Sequence, residues 1–119
     1  MRISIVTINY NGSEKTIELL KSLKVQTCSN SSRQADPNFE VIVIDNASEE
    51  ADFYSLKNAT DSLNTTLRLI RSNENLGFSE GNNVGIHQAL KNGSEWVILL
   101  NNDTWVEKDF MERLRTVLR

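Results

Sequence analysis

The sequence is poor in the residues that mark several special classes of protein, with one cysteine, one proline and five glycines among 119 residues. Because the single Cys28 has no partner for an internal disulfide, a disulfide-stapled secreted scaffold is excluded and a reducing compartment, the cytoplasm, is expected. The scarcity of proline and glycine excludes fibrous and low-complexity chains. Hydrophobic residues make up 39% of the chain, so we expect one globular domain over residues 1–119 with a packed core.

Neither an excess of positive charge nor a long apolar run is present. The 13 basic and 16 acidic residues give a net charge of -3, and no basic stripe is there to neutralise a nucleic-acid backbone, so we expect no nucleic-acid partner. The apolar amino terminus is interrupted at Asn9, before it reaches the length of a signal peptide or a membrane span. We predict no transmembrane segment in this chain; association of the full protein with a membrane stays open.

Four short apolar runs predict β-strands, and segments of helical period lie between them. The predicted strands are Ile3–Ile8, Val41–Ile44, Leu67–Ile70 and Trp96–Leu100. Three of the runs are nearly continuous, which is typical of strands covered on both faces, and the fourth strand is expected to be the most buried. Serines precede three of the helices as candidate N-caps, at Ser13, Ser48 and Ser79. An amphipathic stretch over residues 110–118 predicts a fourth helix, and residues 28–39 predict a surface loop.

The alternation of strands and helices predicts the fold class, an α/β fold with a mostly parallel sheet, flanking helices and right-handed crossovers. The two tryptophans that flank the fourth strand, Trp96 and Trp105, are expected in the core. In an open parallel sheet a ligand binds beyond the carboxyl ends of the strands, where the strand order reverses. Polar residues follow all four predicted strands, so we expect the functional site there.

The ends of the first two strands carry groups that suit a nucleoside. Tyr10 lies between the amides of Asn9 and Asn11, and a ring with amides beside it can stack on a heterocycle and bond its edge. Alternatively, Tyr10 covers the sheet edge and Asn9 bonds the loop backbone. Asp45 ends the second strand, where its carboxylate can accept from a ribose hydroxyl or a ring imide; the alternative is a cap for the next helix, for which Ser48 is better placed.

The last two strand ends carry groups that suit a diphosphate and a cation. Gly77, Gly81 and Gly85 recur at the opening of a helix, where free amides can meet an anion. Gly85 is also expected to let the helix pack closely on the sheet. Asp103 follows the fourth strand, and a carboxylate at the rim can hold a divalent cation that takes its other ligands from phosphate and water. The alternative is that Asp103 caps the last helix.

Four motifs in this order resemble those of family 2 of the inverting glycosyltransferases, which have the GT-A fold, and the rhamnosyltransferase-like members look most similar. The motifs are Val6 to Gly12 (VTINYNG), Val41 to Ser48 (VIVIDNAS), Asn75 to Gly85 (NLGFSEGNNVG) and Leu99 to Asp103 (LLNND). Together they span nearly the whole chain, which makes the resemblance more specific than any single motif.

The resemblance implies a set of residues around a nucleotide sugar: Thr7, Asn9, Tyr10, Asp45, Asn46, Arg71, Gly77, Phe78, Gly81, Asn82 and Asn102. It also implies that Asp103 is the last acid of the family's Asp-x-Asp motif and binds Mg²⁺ or Mn²⁺. The motif here is Asn-Asn-Asp over residues 101–103, so its first carboxylate is missing and the cation would be held less tightly.

The implied reaction is the transfer of a sugar, with inversion, from a UDP- or dTDP-linked donor to the hydroxyl of a glycan or lipid-linked acceptor. Polysaccharide or cell-surface glycan synthesis in the cytoplasm, or at the inner face of the membrane, is the expected setting. A carboxylate must take the proton of the attacking hydroxyl, and in the family it follows the metal motif. We expect this general base beyond residue 119, no catalytic residue within the chain, and donor binding without transfer because the acceptor-binding portion is missing.

Two other α/β classes fit the sequence less well. A non-catalytic nucleotide-binding or receiver-like regulatory domain needs an acidic pair after the first strand to hold magnesium, and the residues there are Asn9, Tyr10 and Asn11. A nucleotidyltransferase usually carries a glycine-rich loop with basic residues at that place, and this sequence has none. The receiver-like domain is kept as the alternative function.

Overall fold

The computed structural model describes residues 2–26, 39–63 and 66–118. Strands and helices alternate along the chain, as the sequence predicts: β1 (Ile3–Asn9), α1 (Ser13–Lys24), β2 (Phe39–Asp45), α2 (Glu50–Leu63), β3 (Leu67–Arg71), α3 (Gly77–Lys91), β4 (Trp96–Leu99) and α4 (Phe110–Leu118). Most of the predicted loop, with Cys28, lies outside the described residues. Its last residue, Phe39, belongs to β2 instead, because its ring is buried in the core.

The four strands form one parallel sheet in the order β3-β2-β1-β4, which confirms the predicted fold class. β1 pairs with β2 along its whole length, so these two strands lie in the middle and are almost completely buried. The prediction that the fourth strand is the most buried is wrong. β4 is an edge strand in the described part of the chain, with Trp96 42% and Leu99 46% exposed, because the chain crosses to the far side of β1 and pairs with that strand alone.

Helices cover both faces of the sheet. Ile5 and Val43 face a core shared with α1, α2 and α4, whereas Val6 and Ile42 face α3, since successive side chains of a strand point to opposite faces. A Cβ on Gly85 would lie 2.3 Å from the Val6 Cγ1, which confirms the predicted close packing of the helix on the sheet. None of the helices in the described ranges is long and apolar enough to cross a membrane.

Several local predictions about helix starts and the core are corrected. Ser13 is the first residue of α1, whose N-cap is Gly12 without a side-chain cap bond. Ser79 lies inside α3, which begins at Gly77. The Ser48 hydroxyl donates to the Asp45 carboxylate at 2.7 Å instead of capping α2. Trp105 is 67% exposed and so is not a core residue. For Ser13 and Ser79 the helix begins earlier than predicted, and for Ser48 a hydrogen bond to the end of β2 replaces the cap.

Candidate functional site at the carboxyl ends of the strands

The strand order reverses at β1, because β2 and β3 follow on one side of it and β4 on the other. Ligands of open α/β sheets bind at such a reversal. A cleft of about 300 Å³ lies there, lined by Ile8, Tyr10, Phe78 and Asn101 to Asp103. The rings of Tyr10 and Phe78 are both more than half exposed. The structure thus brings residues from three of the four predicted motifs to one cleft.

Asn9 lies behind this cleft and is fully buried. Its Nδ2 donates to the Asp45 carboxylate at 2.9 Å and to that of Asp52 at 3.0 Å, and it also lies 3.2 Å from the Ser48 hydroxyl. Its Oδ1 accepts from the Thr16 hydroxyl at 2.6 Å. The amide is therefore engaged inside the protein, where it holds Asp45 in place.

Asp45 is 0% exposed and has several internal partners. Besides Asn9, the Ser48 hydroxyl donates to its Oδ1 at 2.7 Å, and the Ser48 N–H donates to its Oδ2 at 3.2 Å. Arg71, paired with Asp45 in the sheet register, places its Nε 3.8 Å from the same Oδ2, and the Arg71 side chain is 35% exposed. Because the Arg71 guanidinium is partly exposed and the Asp45 carboxylate is buried behind it, a ligand at this strand end contacts Arg71 first.

Asn46 joins the end of β2 to the start of α3. Its Nδ2 donates to the carbonyl of Gly77 at 3.0 Å, and its Oδ1 accepts from the Leu76 N–H at 3.3 Å. Gly77 is exposed and has a φ of 78°, a conformation that glycine adopts without strain. A Cβ on Gly81 would lie 2.9 Å from Ile8 Cδ1. The Gly77 N–H in turn donates to the Asn75 Oδ1 at 2.8 Å. Asn46, Asn75 and Gly81 therefore shape the helix start.

Two predicted site residues have side-chain polar groups without a hydrogen bond in the described part of the chain. The Thr7 hydroxyl is fully buried and has no partner there. Asn82 is 5% exposed, and none of the hydrogen bonds between described residues involves its side chain. Asn82 follows Phe78 by one helical turn, so both lie on the same face of α3. Such unpaired groups are costly and are common where a ligand or an ordered water supplies the partner.

Asp103 is exposed at the rim of the cleft, and its carboxylate has no ion pair or hydrogen bond with the described residues. Beside it, the Nδ2 of Asn102 donates to the Thr16 hydroxyl at 3.1 Å, which leaves the amide oxygen to accept or to ligate. Asp103 does not cap the last helix, which begins only at Phe110. Across the described residues no three acidic, histidine or cysteine side chains group into a metal site, so any cation here would take most ligands from elsewhere.

Asp52, like Thr16, belongs to this network but was not predicted from the sequence. Its Oδ1 accepts from the Ser13 N–H at 3.0 Å and its Oδ2 from Asn9. Burial acts to raise the pKa of Asp52, but hydrogen bonds from Ser13, Asn9 and Ser48 outweigh burial and lower it. Asp52 is part of an ordinary helical pattern in the sequence; its position in the first turn of α2, behind a strand end, is the only local signal.

Two hydrogen bonds tie the loops after β1 and β2 to each other. The Asn11 N–H donates to the Ser48 hydroxyl at 2.9 Å, and the Glu49 N–H donates to the Asn11 Oδ1 at 2.8 Å. Asn11 and Ala47 have φ values of 50° and 61°, in the left-handed region that asparagine tolerates better than alanine. The ends of β1 and β2 thus form one hydrogen-bonded polar network.

The sequence is similar to glycosyltransferases along its length. A model of the family described as "Glycosyl transferase family 2" matches residues 4–119. An uncharacterized glycosyltransferase of Haemophilus influenzae is 29% identical over 116 residues, 98% of this chain and 34% of the relative. The uncharacterized glycosyltransferase YfnE of Bacillus subtilis is 33% identical, over 95% of this chain and 26% of the relative. The chain therefore spans about a third or less of the curated relatives it matches.

Solved structures of similar fold are also glycosyltransferases. S. aureus TarS in complex with UDP has a TM-score of 0.74 and 26% identity, over 99% of this chain and 32% of that one. A mannosyltransferase from Pyrobaculum calidifontis, in complex with GDP-Man and Mn²⁺, has a TM-score of 0.75 and 21% identity, over 93% of this chain and 30% of that one. At that identity the second likeness concerns the fold alone. These neighbours have the GT-A fold, which confirms the predicted fold family.

Proposed function

Because the chain belongs to glycosyl transferase family 2, we propose that it is the donor-binding portion of a glycosyltransferase and binds a UDP- or dTDP-linked sugar. One observation carries the proposal: the cleft at the reversal of strand order is lined by two exposed rings, Tyr10 and Phe78, and by the Asp103 carboxylate, which has no partner among the described residues. The likeness to TarS, solved with UDP, supports a nucleoside diphosphate as the ligand.

The nucleoside is proposed to lie at the ends of β1, β2 and β3. Arg71 and Asp45 form a donor and an acceptor side by side, which suits the edge of a pyrimidine ring, and Tyr10 offers an exposed face for stacking. Thr7 keeps an unpaired hydroxyl that can bond a ligand group. Asn9 contributes by holding the Asp45 carboxylate.

The diphosphate and the cation are proposed to lie at the start of α3 and at the rim. Gly77 is the first residue of a helix, and the N–H groups of the next first-turn residues have no intrahelical acceptor, which favours an anion there. Phe78 and Asn102 line the cleft beside that path, and the Asn82 side chain, one helical turn after Phe78, has no hydrogen bond with the described residues. Asp103 supplies one hard oxygen donor, which fits a Mg²⁺ or Mn²⁺ ion that takes its other ligands from diphosphate and water.

In the proposed reaction the sugar passes to an acceptor hydroxyl with inversion, and the strand ends orient the donor. Asp103 would hold the cation at the rim, where the cation would supply positive charge to neutralise the leaving diphosphate. Glycan or lipid-linked acceptors, polysaccharide or cell-surface glycan synthesis and a cytoplasmic setting at the inner face of the membrane stay predictions. So does the location of the general base beyond residue 119.

Calorimetric titration of the 119-residue chain with UDP and with thymidine diphosphate, with and without Mn²⁺, tests the proposal. We expect saturable binding of at least one of them, strengthened by Mn²⁺.

Asp45→Asn removes the charge of the side chain but keeps its shape, and it should weaken nucleotide binding about tenfold, the order of one charged hydrogen bond. The exposed Asp103 is the proposed metal ligand, so Asp103→Ala should abolish the gain in affinity that Mn²⁺ gives and leave binding without Mn²⁺ unchanged. Absence of binding to both nucleotides would contradict the proposal.

A further inference from the structure

The guanidinium of Arg71 is held by three groups at the exposed end of β3. Its Nη2 donates to the Ser48 carbonyl at 3.1 Å, and its Nε lies 3.8 Å from Asp45 Oδ2. Its Cζ lies 4.2 Å from the centre of the Phe53 ring. A long arginine side chain on an edge strand would otherwise sample many rotamers, so these contacts select one.

The position of the Phe53 ring is itself determined by its surroundings. The Phe53 N–H donates to the Glu49 carbonyl at 3.0 Å in the first turn of α2. The ring meets that of Tyr54 edge to face, with centroids 5.5 Å apart and planes at 65°, and it shares the walls of a cavity of about 260 Å³ with Leu67 and Leu69 of β3. The ring therefore offers a fixed face beside the strand end.

The contacts of Arg71 leave most of its hydrogen-bonding capacity unused. A guanidinium has five N–H groups in a rigid plane, and the Ser48 carbonyl takes one of them. The distance from Nε to Asp45 is too long for a hydrogen bond. No other acceptor in residues 2–26, 39–63 and 66–118 bonds this side chain, so the plane set by the Phe53 ring decides where the free donors point.

We infer that Phe53 is a positioning residue for nucleobase recognition: its ring holds the exposed Arg71 guanidinium beside Asp45, so that the free guanidinium donors meet the ligand in one fixed orientation. The inference rests on the proposed function and adds to it a residue in the first turn of α2, outside the four sequence motifs. Phe53 acts only through Arg71, by the attraction between a cation and the face of an aromatic ring.

Phe53→Leu tests this role in a double-mutant cycle with Arg71→Ala, with UDP and thymidine diphosphate as probes. In the wild-type background we expect Phe53→Leu to weaken binding about three- to tenfold, the range of a partly exposed cation–π contact. In the Arg71→Ala background the same substitution should have no further effect. Phe53→Tyr keeps the aromatic face and should restore affinity, and Val117→Ala, at an exposed position of α4, should leave affinity within about twofold of wild type.

A purely structural role of Phe53 would give a different pattern. Its loss would then weaken binding by the same factor in both Arg71 backgrounds, and the ratio of UDP to cytidine diphosphate affinities would not change. The inference requires that this ratio falls in Phe53→Leu, since base discrimination depends on the position of Arg71. If the wild-type chain binds neither UDP nor thymidine diphosphate, the proposed function fails; if it binds and the two substitutions are additive, only the role of Phe53 is overturned.

Discussion

The side chain of Asn9 lies between two carboxylates, those of Asp45 and Asp52, and donates to both. An amide is the one group of this size that can donate to two acids and still accept from Thr16. This arrangement separates two negative charges within a buried network. The residue that looked like a ligand contact in the sequence is therefore also the part that keeps the site assembled.

Asn9→Asp should destabilise the protein strongly. The substitution removes both donated hydrogen bonds and places a third negative charge beside Asp45 and Asp52, so we expect the free energy of unfolding at pH 7 to fall by about 3 kcal/mol. Urea denaturation measures this change. Asn83→Asp, on the exposed face of α3, is the control and should change stability by less than about 0.5 kcal/mol. Equal effects of the two substitutions would contradict the role assigned to Asn9.

Ala47 lies in the left-handed region, with a φ of 61°, where a Cβ costs about 1–2 kcal/mol. Ala47→Gly should relieve this cost and raise the free energy of unfolding by about 0.5 kcal/mol, after the entropy that glycine loses on folding. Ala59→Gly, in the interior of α2, should lower it by about 1 kcal/mol. Thermal denaturation of both variants checks the opposite signs, and a loss of stability in Ala47→Gly would refute the assignment of strain.

For single residues, the sequence predicts which positions lie at the candidate site better than it predicts their hydrogen-bond partners. Asp45 and Arg71 are predictable because they end apolar strands, and parallel strands end at one edge of a sheet. The partners of Asn9 are not, since Thr16 and Asp52 come from two helices that meet only in the folded chain. Ser48 matches the pattern of a helix cap, but its hydroxyl bonds Asp45, three residues earlier.

Among the elements, α3 depends on two glycines for its contact with the sheet. Gly85→Ala would bring a methyl group to 2.3 Å from Val6 Cγ1, which forces the helix away from β1 at a cost of about 2 kcal/mol. Asn83→Ala, on the exposed side of the same helix, should be nearly neutral. Urea denaturation measures both, and a neutral Gly85→Ala would show that α3 packs less closely than described.

The strands are also joined at the end opposite the candidate site. Glu40 of β2 is fully buried, and it accepts from Ser4 at 2.7 Å and from Asn92 at 3.1 Å. Arg2 and Arg68 lie 3.2 and 3.4 Å from its Oε1. Burial acts to raise the pKa of Glu40, but these hydrogen bonds and charges outweigh it and lower the pKa below its ordinary value.

A lowered pKa in the folded state makes stability depend on pH in one direction. The contribution of Glu40 is complete above the ordinary carboxyl pKa of about 4.3 and is lost as the pH falls through the lower value of the folded state. We expect Glu40→Gln to cost about 2 kcal/mol at pH 7 and to flatten the loss of stability below pH ~4.3. Urea denaturation from neutral to acidic pH measures this, with the exposed Glu80→Gln as control. An unchanged acid slope in Glu40→Gln would contradict the assignment.

The elements themselves follow closely from the sequence, because apolar runs and helical periods are local signals. The place of each strand in the sheet does not follow from the sequence. The run from Trp96 to Leu100 is as apolar as a central strand, yet β4 lies at the edge, since the direction of the crossover after α3 decides which side of the sheet receives it.

At the scale of the whole molecule, the strand ends and the Glu40 cluster occupy opposite ends of one sheet. Among the described residues, each end has one buried side-chain polar atom without a hydrogen bond: the Thr7 hydroxyl near the carboxyl ends of the strands and Arg2 Nε beside Glu40. The central claim is that a nucleoside diphosphate binds at the carboxyl ends of the strands. The position of the bound nucleotide, rather than its affinity alone, therefore tests this claim.

Amide chemical-shift mapping by NMR, during titration of the 119-residue chain with UDP and Mn²⁺, measures that location directly. The account predicts that the largest shifts fall on residues 7–12, 45–48, 71–82 and 101–103, with residues around Glu40 unchanged. Shifts centred on the Glu40 end, or on the apolar groove beside Trp105, would contradict it.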